Sequence, residues 1–287
     1  MSEPTTYGDD VAVVVVTYFP GETLQRFLDT LEKASGRSTQ VVLVDNGSTD
    51  GAPEQAARRA GVRLVHTGEN IGYGAAVNRG VAELGERVGW VVIANADLEW
   101  EPEALDELLA VAGRWPRGGA FGPLIRELDG SVYPSARQLP ALGRGAGHAV
   151  FAKVWPANPW TTAYRQERGA PSERVSGWLS GSCQLLRRAA FDSVGGFDPR
   201  YFMYFEDVDL GDRIGRAGWH NVYAPSAVVT HLGGHATARV PKRMLAAHHE
   251  SAYRYLADRH RGLVWRPLLT AIRLGLWLRL KLLARQV

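Results

Sequence analysis

Four carboxylates stand close together in an otherwise apolar stretch of the chain, at Glu206, Asp207, Asp209 and Asp212. Aromatic residues precede them, just after a turn-rich Gly-Gly-Phe-Asp-Pro segment. A carboxylate in apolar surroundings has a raised pKa and can act as a general base. Carboxylates also favour the positive end of a helix, so the same cluster is typical of a solvated helix start. The elements around the cluster must decide between the two interpretations.

The composition indicates a globular protein with a basic tail. Of its 287 residues, 45% are apolar and 22% are charged, which is enough to bury a large core. The single Cys183 excludes a disulfide framework and a cysteine-based zinc site within one chain. From Lys242 onward, ten Lys and Arg residues face only Glu250 and Asp258. This asymmetry predicts a lipid surface or a phosphate-bearing substrate, and no nucleic-acid motif accompanies it.

Strand and helix patterns alternate through the first half of the chain. Val11–Thr17 is continuously apolar, as in a strand buried on both faces, and Glu22–Ala34 repeats apolar residues at helical spacing. The alternation continues with strands and helices at Gln40–Val44, Pro53–Ala60, Arg63–His66, Ala75–Leu84 and Trp90–Ala94. It predicts a parallel sheet with helices on both faces, whose ligands bind where the strands end.

Polar loops follow two of these strands, at residues 45–51 and 95–99. Asp45 precedes the turn-forming Asn46-Gly-Ser, so its carboxylate can accept hydrogen bonds from a pyrimidine N–H or ribose hydroxyls, or can cap the turn itself. The chain has no Gly-x-x-x-x-Gly-Lys, and Gly72-Tyr-Gly-Ala-Ala matches Gly-x-Gly-x-x-Gly poorly. P-loop hydrolysis and dinucleotide oxidoreduction are therefore not expected.

Five motifs occur in an order that resembles family 2 glycosyltransferases of the GT-A fold. They are Val14–Tyr18, Val44–Gly51, Asn70–Gly80, Asn95–Asp97 and Phe205–Leu210. Further segments are similar to the bacterial rhamnosyltransferase branch of that family: Gly177–Ser182, Arg187-Arg188, Gly195–Asp198 and Tyr204–Asp209. The likeness runs from about residue 11 to His235. It implies an α/β GT-A fold with a mostly parallel nucleotide-binding sheet flanked by helices.

The resemblance implies a divalent metal site at Asp97 and His231. Asn95-Ala-Asp97 stands where the family usually carries Asp-x-Asp, which leaves one carboxylate for the metal and Asn95 for a water or sugar contact. Mg²⁺ and Mn²⁺ accept one or two protein carboxylates and take further oxygens from diphosphate and water. His231 resembles the histidine that some metal-dependent members place opposite the acidic motif. A structural role for that histidine is the alternative.

The resemblance also places the proton acceptor at Asp207, with Glu206 orienting it or raising its pKa. Asp209 and Asp212 are better explained as structural residues. A single catalytic carboxylate beside a metal suits direct attack by an acceptor hydroxyl, which inverts the anomeric centre. Glycosidases instead use two carboxylates across the scissile bond. The motifs therefore favour sugar transfer over hydrolysis.

Further contacts to the nucleotide sugar are expected from Thr17, Tyr18 and Asn46 beside Asp45, and from Trp178, whose ring can pack on a pyranose. Gly72 and Asn78 lie at the entry to a helix, where backbone N–H groups favour an anion such as the diphosphate. Three of these residues also have a structural alternative: Tyr18 and Trp178 as core side chains, and the glycine as a site of close helix packing.

The second half of the chain has less pattern. Residues 113–176 are rich in Gly, Pro and Arg without clear periodicity, which predicts a long substrate-facing loop region or lid. From Leu263 to Val287 the chain reads as a helix with apolar residues at 263, 265, 269, 272, 276 and 283. Its basic residues disfavour a transmembrane span and suit a helix lying in the membrane interface. Packing on the protein body or on a dimer partner is the alternative.

We therefore divide the chain into a polar N-terminal tail (1–10) without a signal-peptide pattern, a GT-A domain (11–240) and a basic amphipathic helical tail (241–287) that faces the membrane. Branch resemblance implies transfer of L-rhamnose from dTDP-L-rhamnose to polyprenyl-diphosphate-linked N-acetylglucosamine, in synthesis of a cell-wall linker, by a peripheral enzyme at the cytoplasmic membrane face. A galactofuranosyl or other nucleotide-sugar donor is the nearest alternative. A catalytically silent nucleotide-binding or scaffold module is the alternative of another class, and a homo-oligomer stays open.

Overall fold

The computed structural model describes residues 7–140, 171–233 and 241–283. Three of the sequence expectations fall partly outside these ranges. They are the polar N-terminal tail before residue 7, the middle of the expected loop region at 141–170, and the end of the C-terminal helix after residue 283. The segment 234–240, which joins the expected catalytic domain to its tail, lies outside them too.

Strands and helices alternate in the first half as predicted. The elements are β1 (Asp10–Thr17), α1 (Thr23–Ala34), β2 (Gln40–Asp45), α2 (Ala52–Ala56), β3 (Val62–His66), α3 (Tyr73–Val81) and β4 (Val88–Asn95). β1 runs parallel to both β2 and β4, and β2 runs parallel to β3. Alternate β1 residues enter the two hydrophobic cores on opposite faces of the sheet, which explains why the strand is apolar throughout.

The second half adds a mixed set of strands and more helices. The elements are β5 (Leu98–Trp100), α4 (Ala104–Arg114), β6 (Gly118–Glu127), β7 (Val132–Tyr133), β8 (Ala136–Arg137), β9 (Arg174–Ser176), β10 (Trp178–Leu179), β11 (Cys183–Arg187), α5 (Arg188–Ser193), α6 (Glu206–Arg216), β12 (His220–His231), α7 (Pro241–Arg259), a 3₁₀ turn (Leu263–Trp265) and α8 (Arg266–Leu283). The main sheet has the order β3-β2-β1-β4-β11-β6-β12-β5, and β11 is antiparallel to both of its neighbours.

The expectation of a continuous loop region from residue 113 is wrong for its first part. β6 is buried along residues 118–125 and pairs with β12 and β11. Its glycines mark close packing: a Cβ on Gly119 would lie 2.8 Å from the Trp219 Cβ, and one on Gly122 would lie 2.9 Å from the Leu179 Cδ2. A buried strand that needs small residues for close approach loses the apolar pattern by which strands are recognised.

Helices cover both faces of the sheet, so the predicted layering is confirmed. On one face α1 and α4 pack through residues such as Phe27 and Leu108, and on the other α3, α5 and α6 pack through residues such as Val77 and Ile214. β1, β2 and β4 run in the same direction, so the polar loops that follow them all begin at the carboxyl ends of these strands. Those loops meet at one edge of the sheet, as expected for a fold of this class.

Helix α7, the first of the two C-terminal helices, is held on the domain by side-chain hydrogen bonds and packing. Arg259 Nη1 donates to Asp212 Oδ2 at 2.5 Å, and Ser251 Oγ donates to the Met203 carbonyl at 3.0 Å. Tyr255 is 2% exposed and joins Trp178 in a small buried cluster. Asp212 therefore holds α7 on α6, which agrees with the structural role expected for it.

α8 folds back along α7 and presents two apolar faces. Leu269 is buried, and Trp265, Ile272 and Leu276 are half-buried, so the helical stripe recognised in the sequence packs largely on protein. A second apolar set on α8 and the preceding turn is exposed: Leu263, Val264, Leu268, Leu274, Trp277 and Leu278. Among the described helices, none is both long enough and apolar enough to cross a membrane.

Candidate active site

The acid pair Glu206-Asp207 begins helix α6, directly after two residues in a strained backbone conformation. Tyr204 and Phe205 have φ angles of 66° and 64°, in the left-handed region that bulky residues rarely adopt. Strain of this kind persists only where surrounding contacts hold it, and it is common at functional sites. The helix thus starts abruptly, with both carboxylates in its first turn, where the helix dipole favours negative charge.

Asp207 is held by backbone N–H groups. Its Oδ2 accepts a hydrogen bond from Gly181 N at 3.0 Å, and its Oδ1 accepts one from Val208 N at 2.8 Å. Burial raises the pKa of this carboxyl, while the two N–H groups and the positive charge of Arg137 act in the opposite direction. The net effect is a carboxylate of increased basicity in a fixed orientation, as a general base requires.

Glu206 is 7% exposed, and its Oε2 has no hydrogen-bond partner among the described residues. Burial, with the neighbouring charge of Asp207, raises the pKa of Glu206 to about 8. Two buried carboxyl groups side by side cannot both ionise readily, so the pair retains a proton near neutral pH. The sequence interpretation expected Glu206 to orient Asp207 or to raise its pKa, whereas here burial raises the pKa of Asp207 and the charge of Asp207 contributes to the raised pKa of Glu206.

Asp209 has a structural partner. It forms an ion pair within α6 with Arg213, whose Nε lies 2.7 Å from Asp209 Oδ2. Arg213 Nη1 also donates to the carbonyls of Val194 and Gly196, at 2.8 and 2.7 Å. Asp209 therefore helps to hold the segment that precedes the acid pair through Arg213.

Asp97 and His231 come together at a second point of the same region. Asp97 lies in the turn between β4 and β5, and His231 ends β12, which pairs with β5 so that His231 is opposite Leu98. Leu232 N donates to the Asp97 carbonyl at 2.9 Å, and the two side chains meet at 3.2 Å between His231 Nε2 and Asp97 Oδ1. Burial lowers the pKa of His231, but the hydrogen bond and charge of Asp97 and the charge of Glu127 outweigh it and raise the pKa.

The Asp97–His231 pair fits a divalent cation that a substrate helps to hold. One carboxylate oxygen and one imidazole nitrogen are ligands that Mn²⁺ accepts, and the remaining positions of a hexacoordinate ion suit diphosphate oxygens and water. Both side chains are partly accessible, at 17% and 19% exposed. No group of three or more possible metal ligands occurs among the described residues, so protein ligands alone do not complete a site there.

A cavity of about 490 Å³ connects the two pairs. Eight of the predicted site residues line it: Tyr18, Asn46, Asn95, Asp97, Trp178, Glu206, Asp207 and His231. Aromatic side chains and the Ser180–Ser182 loop form much of the remaining wall. A concave site with mixed aromatic and polar lining and perturbed carboxyl groups has the features of a substrate-binding site.

Thr17 and Asp45 lie behind the cavity wall. Both are almost fully buried, and Asp45 Oδ1 accepts from Thr17 Oγ1 at 2.9 Å. Asp45 Oδ2 accepts from the backbone N–H groups of Gly47 and Ser48, at 3.1 and 3.0 Å. The carboxylate thus caps its own turn, as the alternative interpretation expected. A direct contact to the nucleotide stays a prediction.

The Asn70–Gly80 motif braces the segment that leads to the acid pair. Gly72 has a φ of 91°, and a Cβ there would lie 2.4 Å from the Phe202 carbonyl oxygen, which also accepts from Tyr73 N at 3.1 Å. Asn78 Nδ2 donates to the Phe197 carbonyl at 2.7 Å, and its Oδ1 accepts from Phe197 N at 2.9 Å. These contacts explain why the motif needs a glycine and an amide at these positions. The predicted role near the diphosphate is not tested by them.

Trp178 belongs both to a small core and to the cavity wall. It is 6% exposed, and its Nε1 donates to the Gln138 carbonyl at 3.1 Å. It packs with Tyr201, Val208 and Tyr255. The two interpretations of this residue are therefore compatible, since a fixed ring can present one face to a ligand.

The family model for "Glycosyl transferase family 2" matches residues 12–195 of this chain. The chain belongs to glycosyltransferase family 2. The matched segment covers β1 to α5 and includes Asp45 and Asp97, whereas Asp207, His231 and α7 follow it. The family predicted from the five motifs is confirmed, and with it the assignment of the protein as a glycosyltransferase.

Relatives of this family 2 glycosyltransferase include two rhamnosyltransferases. The N-acetylglucosaminyl-diphospho-decaprenol L-rhamnosyltransferase of Mycobacterium tuberculosis is 58% identical over 96% of this chain and 94% of its own length. Rhamnosyltransferase WbbL of Escherichia coli is 38% identical over 86% of this chain and 92% of its own. The structure of a mannosyltransferase from Pyrobaculum calidifontis, in complex with GDP-Man and Mn²⁺, superposes with a TM-score of 0.57 at 21% identity, over 95% of this chain and 71% of that one. That likeness confirms the fold.

The residues of the glycosyltransferase's cavity wall that were missed from the sequence include Tyr73, Arg137 and His248. Tyr73 Oη donates to the Gly181 carbonyl at 2.6 Å, so it supports the peptide that binds Asp207. Arg137 lies in a segment without periodicity, and only the pairing of β8 with β10 brings it beside Trp178. His248 lies on α7, which was assigned to a tail outside the catalytic domain. The sequence offered no signal for a role of His248 in the site beyond the residue type itself.

Proposed function

We propose that this glycosyltransferase transfers L-rhamnose from dTDP-L-rhamnose to a polyprenyl-diphosphate-linked N-acetylglucosamine, with inversion at the anomeric carbon. The observation that supports it best is one cavity lined by both an acid pair of raised pKa and the Asp97–His231 pair. The first provides a base, and the second provides a place for the charge of a departing diphosphate. The named activity of the 58% identical relative supports L-rhamnose as the transferred sugar and a polyprenyl-diphosphate-linked N-acetylglucosamine as the acceptor. The dTDP carrier is proposed from the resemblance of the sequence motifs to the rhamnosyltransferase branch.

In the proposed reaction Asp207 takes the proton of an acceptor hydroxyl. As the hydroxyl oxygen forms its bond to the anomeric carbon of the donor, the bond from that carbon to the diphosphate oxygen breaks, and the electron pair leaves with the nucleoside diphosphate. The N–H groups of Gly181 and Val208 keep the carboxylate oriented. A positioned base of this kind contributes roughly 10²–10⁴ to the rate.

Asp97 and His231 would hold a divalent cation, Mg²⁺ or Mn²⁺, and a bound cation neutralises negative charge on the diphosphate. The chain's own residues do the remaining work of the site. Asn95, whose N–H donates to the Ser182 carbonyl at 2.9 Å, and Asn46 offer amide groups to the sugar and the nucleotide. Tyr18 and Trp178 offer ring faces at the cavity wall.

We also propose that the protein binds the cytoplasmic membrane face through α8, where a lipid-linked acceptor lies. At about 100° per residue, Leu268, Leu274 and Leu278 lie within an arc of about 120° around the helix axis, and all three are exposed. Arg279 and Lys281 flank this face, whereas Arg266 and Arg273 lie on the other side of the helix. Exposed apolar residues bordered by basic ones suit an interfacial helix on anionic lipid. A rhamnosyl product on a lipid diphosphate would serve as the linker between cell-wall polysaccharide and peptidoglycan.

Two other assignments compete with this one. A galactofuranosyl or other nucleotide-sugar donor would use the same cavity. The residues proposed to bind the diphosphate and to accept the proton do not distinguish one sugar from another. A silent nucleotide-binding module would need neither the acid pair nor its fixed orientation. The Gly181 and Val208 hydrogen bonds to Asp207 favour the enzyme.

The proposed reaction is tested with radiolabelled dTDP-L-rhamnose and synthetic farnesyl-diphospho-N-acetylglucosamine, with Mg²⁺, with Mn²⁺ and with a chelator. We expect a metal-dependent lipid product whose new glycosidic bond has the anomeric configuration opposite to that of the donor. Transfer from UDP-galactofuranose alone would contradict the donor assignment and retain the chemistry. Absence of product with every donor tested would favour the silent module.

A further inference from the structure

Arg137 places a positive charge in the cavity without an opposing carboxylate at contact distance. Its Nε donates to the Pro134 carbonyl at 2.6 Å, and its guanidinium carbon lies 5.2 Å from the ring centroid of Tyr133 and 5.3 Å from that of Trp178. No acidic side chain of the described residues forms an ion pair with it within 4.0 Å. Its two terminal nitrogens donate no hydrogen bond to any described residue. The side chain is thus fixed at its base and on its flanks, with its donors unused.

His248 of α7 provides a second unused donor on the same cavity. Its ring meets the rings of Tyr204 and Phe205 edge to face, with centroids 5.4 and 5.6 Å apart. Neither ring nitrogen forms a hydrogen bond with a described residue, and the side chain is exposed at the cavity wall. Burial of part of the ring, with the nearby His249 and the charge of Arg279, lowers its pKa. The imidazole carries at least one N–H donor in either protonation state.

We propose that Arg137 and His248 form a diphosphate-binding subsite of this cavity, next to the acid pair. A guanidinium with free terminal N–H groups matches phosphate oxygens in geometry and charge. The aromatic rings of Tyr133 and Trp178 hold the planar guanidinium in position and reduce the entropy lost on binding. The charge of Arg279 on α8 adds positive potential on the α7 side. Each of these features favours an anion over a neutral sugar.

The position of Arg137 favours the diphosphate of the acceptor. Arg137 is close enough to Asp207 for its charge to oppose the rise in the pKa of that carboxyl. In an acceptor such as a lipid-diphospho-sugar, the diphosphate is attached to the same pyranose ring that carries the attacking hydroxyl. A base on that hydroxyl and a cation on that diphosphate must therefore be neighbours. The inference deepens the proposed function and rests on it for the nature of the acceptor.

The test measures equilibrium binding without turnover, by calorimetry on the full chain. The ligands are farnesyl-diphospho-N-acetylglucosamine, the neutral octyl N-acetylglucosaminide, and dTDP with Mn²⁺. The variants are Arg137→Gln and His248→Ala. Arg126→Gln and Glu250→Ala are the matched controls, because Arg126 lies on β6 outside the cavity lining and Glu250 is exposed on the same helix as His248.

We expect Arg137→Gln to weaken binding of the farnesyl-diphospho ligand by about 10- to 100-fold, and His248→Ala to weaken it by a smaller factor. Binding of the octyl glycoside and of dTDP, and every affinity of the two controls, should stay unchanged. Loss of dTDP affinity instead would assign the same subsite to the donor diphosphate. Unchanged affinity for both diphosphates, or an equal loss for the neutral glycoside, would overturn the proposal.

The same measurement separates this proposal from the proposed function. Because no turnover is needed, an Arg137-dependent affinity for the farnesyl-diphospho ligand would support the subsite even if the wild-type protein transferred no rhamnose. Circular dichroism of each variant shows whether the fold is intact. The smaller substitution Arg137→Lys keeps the charge but removes the planar fork, so it should restore part of the affinity that Arg137→Gln loses.

Discussion

His231 Nε2 lies 3.2 Å from Asp97 Oδ1, although 134 positions separate the two residues in the chain. The pairing of β12 with β5 sets this distance, because His231 is placed opposite Leu98, next to the turn that carries Asp97. In the absence of a cation, this contact gives the imidazole a partner and raises its pKa. The same two side chains, with ligand-binding atoms facing each other, are the ones that we propose for the metal.

Replacing either member of that pair should weaken divalent-ion binding. We expect Asp97→Ala to abolish the response of transfer to Mn²⁺ over the range in which the wild-type enzyme responds, and His231→Gln to shift the half-saturating Mn²⁺ concentration upward by about 10- to 100-fold. Glu127→Gln is a control, since it removes a charge that acts on His231 but neither of the two proposed ligands. A normal Mn²⁺ dependence in Asp97→Ala would show that this turn does not hold the metal.

The acid pair predicts how activity depends on pH. The pKa of Glu206 is raised to about 8 by burial and by the charge of Asp207, with Tyr73 and Tyr204 as further titratable neighbours. The proposed base Asp207 must be unprotonated, and burial raises its pKa, so the acidic limb of the kcat profile should lie at a higher pH than for an ordinary aspartate. Ionisation of Glu206 near pH 8 places a second negative charge beside Asp207, so Glu206→Gln should remove the change in the kcat profile that this ionisation produces. A pH profile of kcat that is identical in the variant would contradict the coupling.

The same shift has a consequence for stability. A carboxyl group whose pKa is about 8 in the folded protein and 4.5 as the ordinary value binds its proton more tightly when folded. The free energy of unfolding should therefore decrease as pH rises from about 4.5 to about 8. Glu206→Gln removes this contribution, so its Tm should fall less with pH than that of the wild type. Thermal unfolding at a series of pH values measures the difference.

Asn78→Ala should reduce stability and leave nucleotide affinity unchanged. The substitution removes both hydrogen bonds to the Phe197 backbone, at 2.7 and 2.9 Å, and leaves a partly buried N–H and carbonyl unpaired at a cost of about 1–3 kcal/mol. Chemical denaturation measures the loss, and calorimetry with dTDP measures the affinity. Reduced dTDP affinity at full stability would instead support the role near the diphosphate that the sequence predicted.

The exposed face of α8 should control attachment to membranes. Replacing Leu268, Leu274 and Leu278 together by Ser removes the apolar contact and keeps every charge, so sedimentation with vesicles that contain anionic lipid should fall by about tenfold or more. Ala271→Ser is a control on the same face with little apolar area. If the triple variant still sediments with the vesicles as the wild type does, α8 is not the docking helix.

The sequence was sufficient to predict the parts of the fold that have strong periodicity, and motifs identified the cavity. β1 and β2 could be recognised because buried parallel strands are apolar throughout, and the loops that follow them lie at the same sheet edge. β6 was missed because its glycines, required for close packing, interrupt that pattern. Trp178, which lies beside Arg137, and the Tyr204 and Phe205 rings beside His248 come from elements distant in sequence. No spacing rule could therefore place Arg137 and His248 in the site.

The C-terminal region shows the same limit. Its helical pattern predicted α8, but the stripe that includes Leu269 and Ile272 packs on α7, and a different face is exposed. Periodicity identifies an amphipathic helix without identifying what covers its apolar side. α7 itself reads as a tail in the sequence, and the Arg259–Asp212 contact fixes it to the domain beside the cavity.

The most direct test of the account compares transfer by the wild-type enzyme and by Asp207→Asn. Single-turnover transfer from dTDP-L-rhamnose to farnesyl-diphospho-N-acetylglucosamine should slow by roughly 10²–10⁴, because the amide cannot accept the proton of the acceptor hydroxyl. Calorimetry should show unchanged affinity for dTDP with Mn²⁺, since Asp207 is not a proposed ligand of the donor. A rate equal to that of the wild type would contradict the assignment of Asp207 as the base, and with it the mechanism.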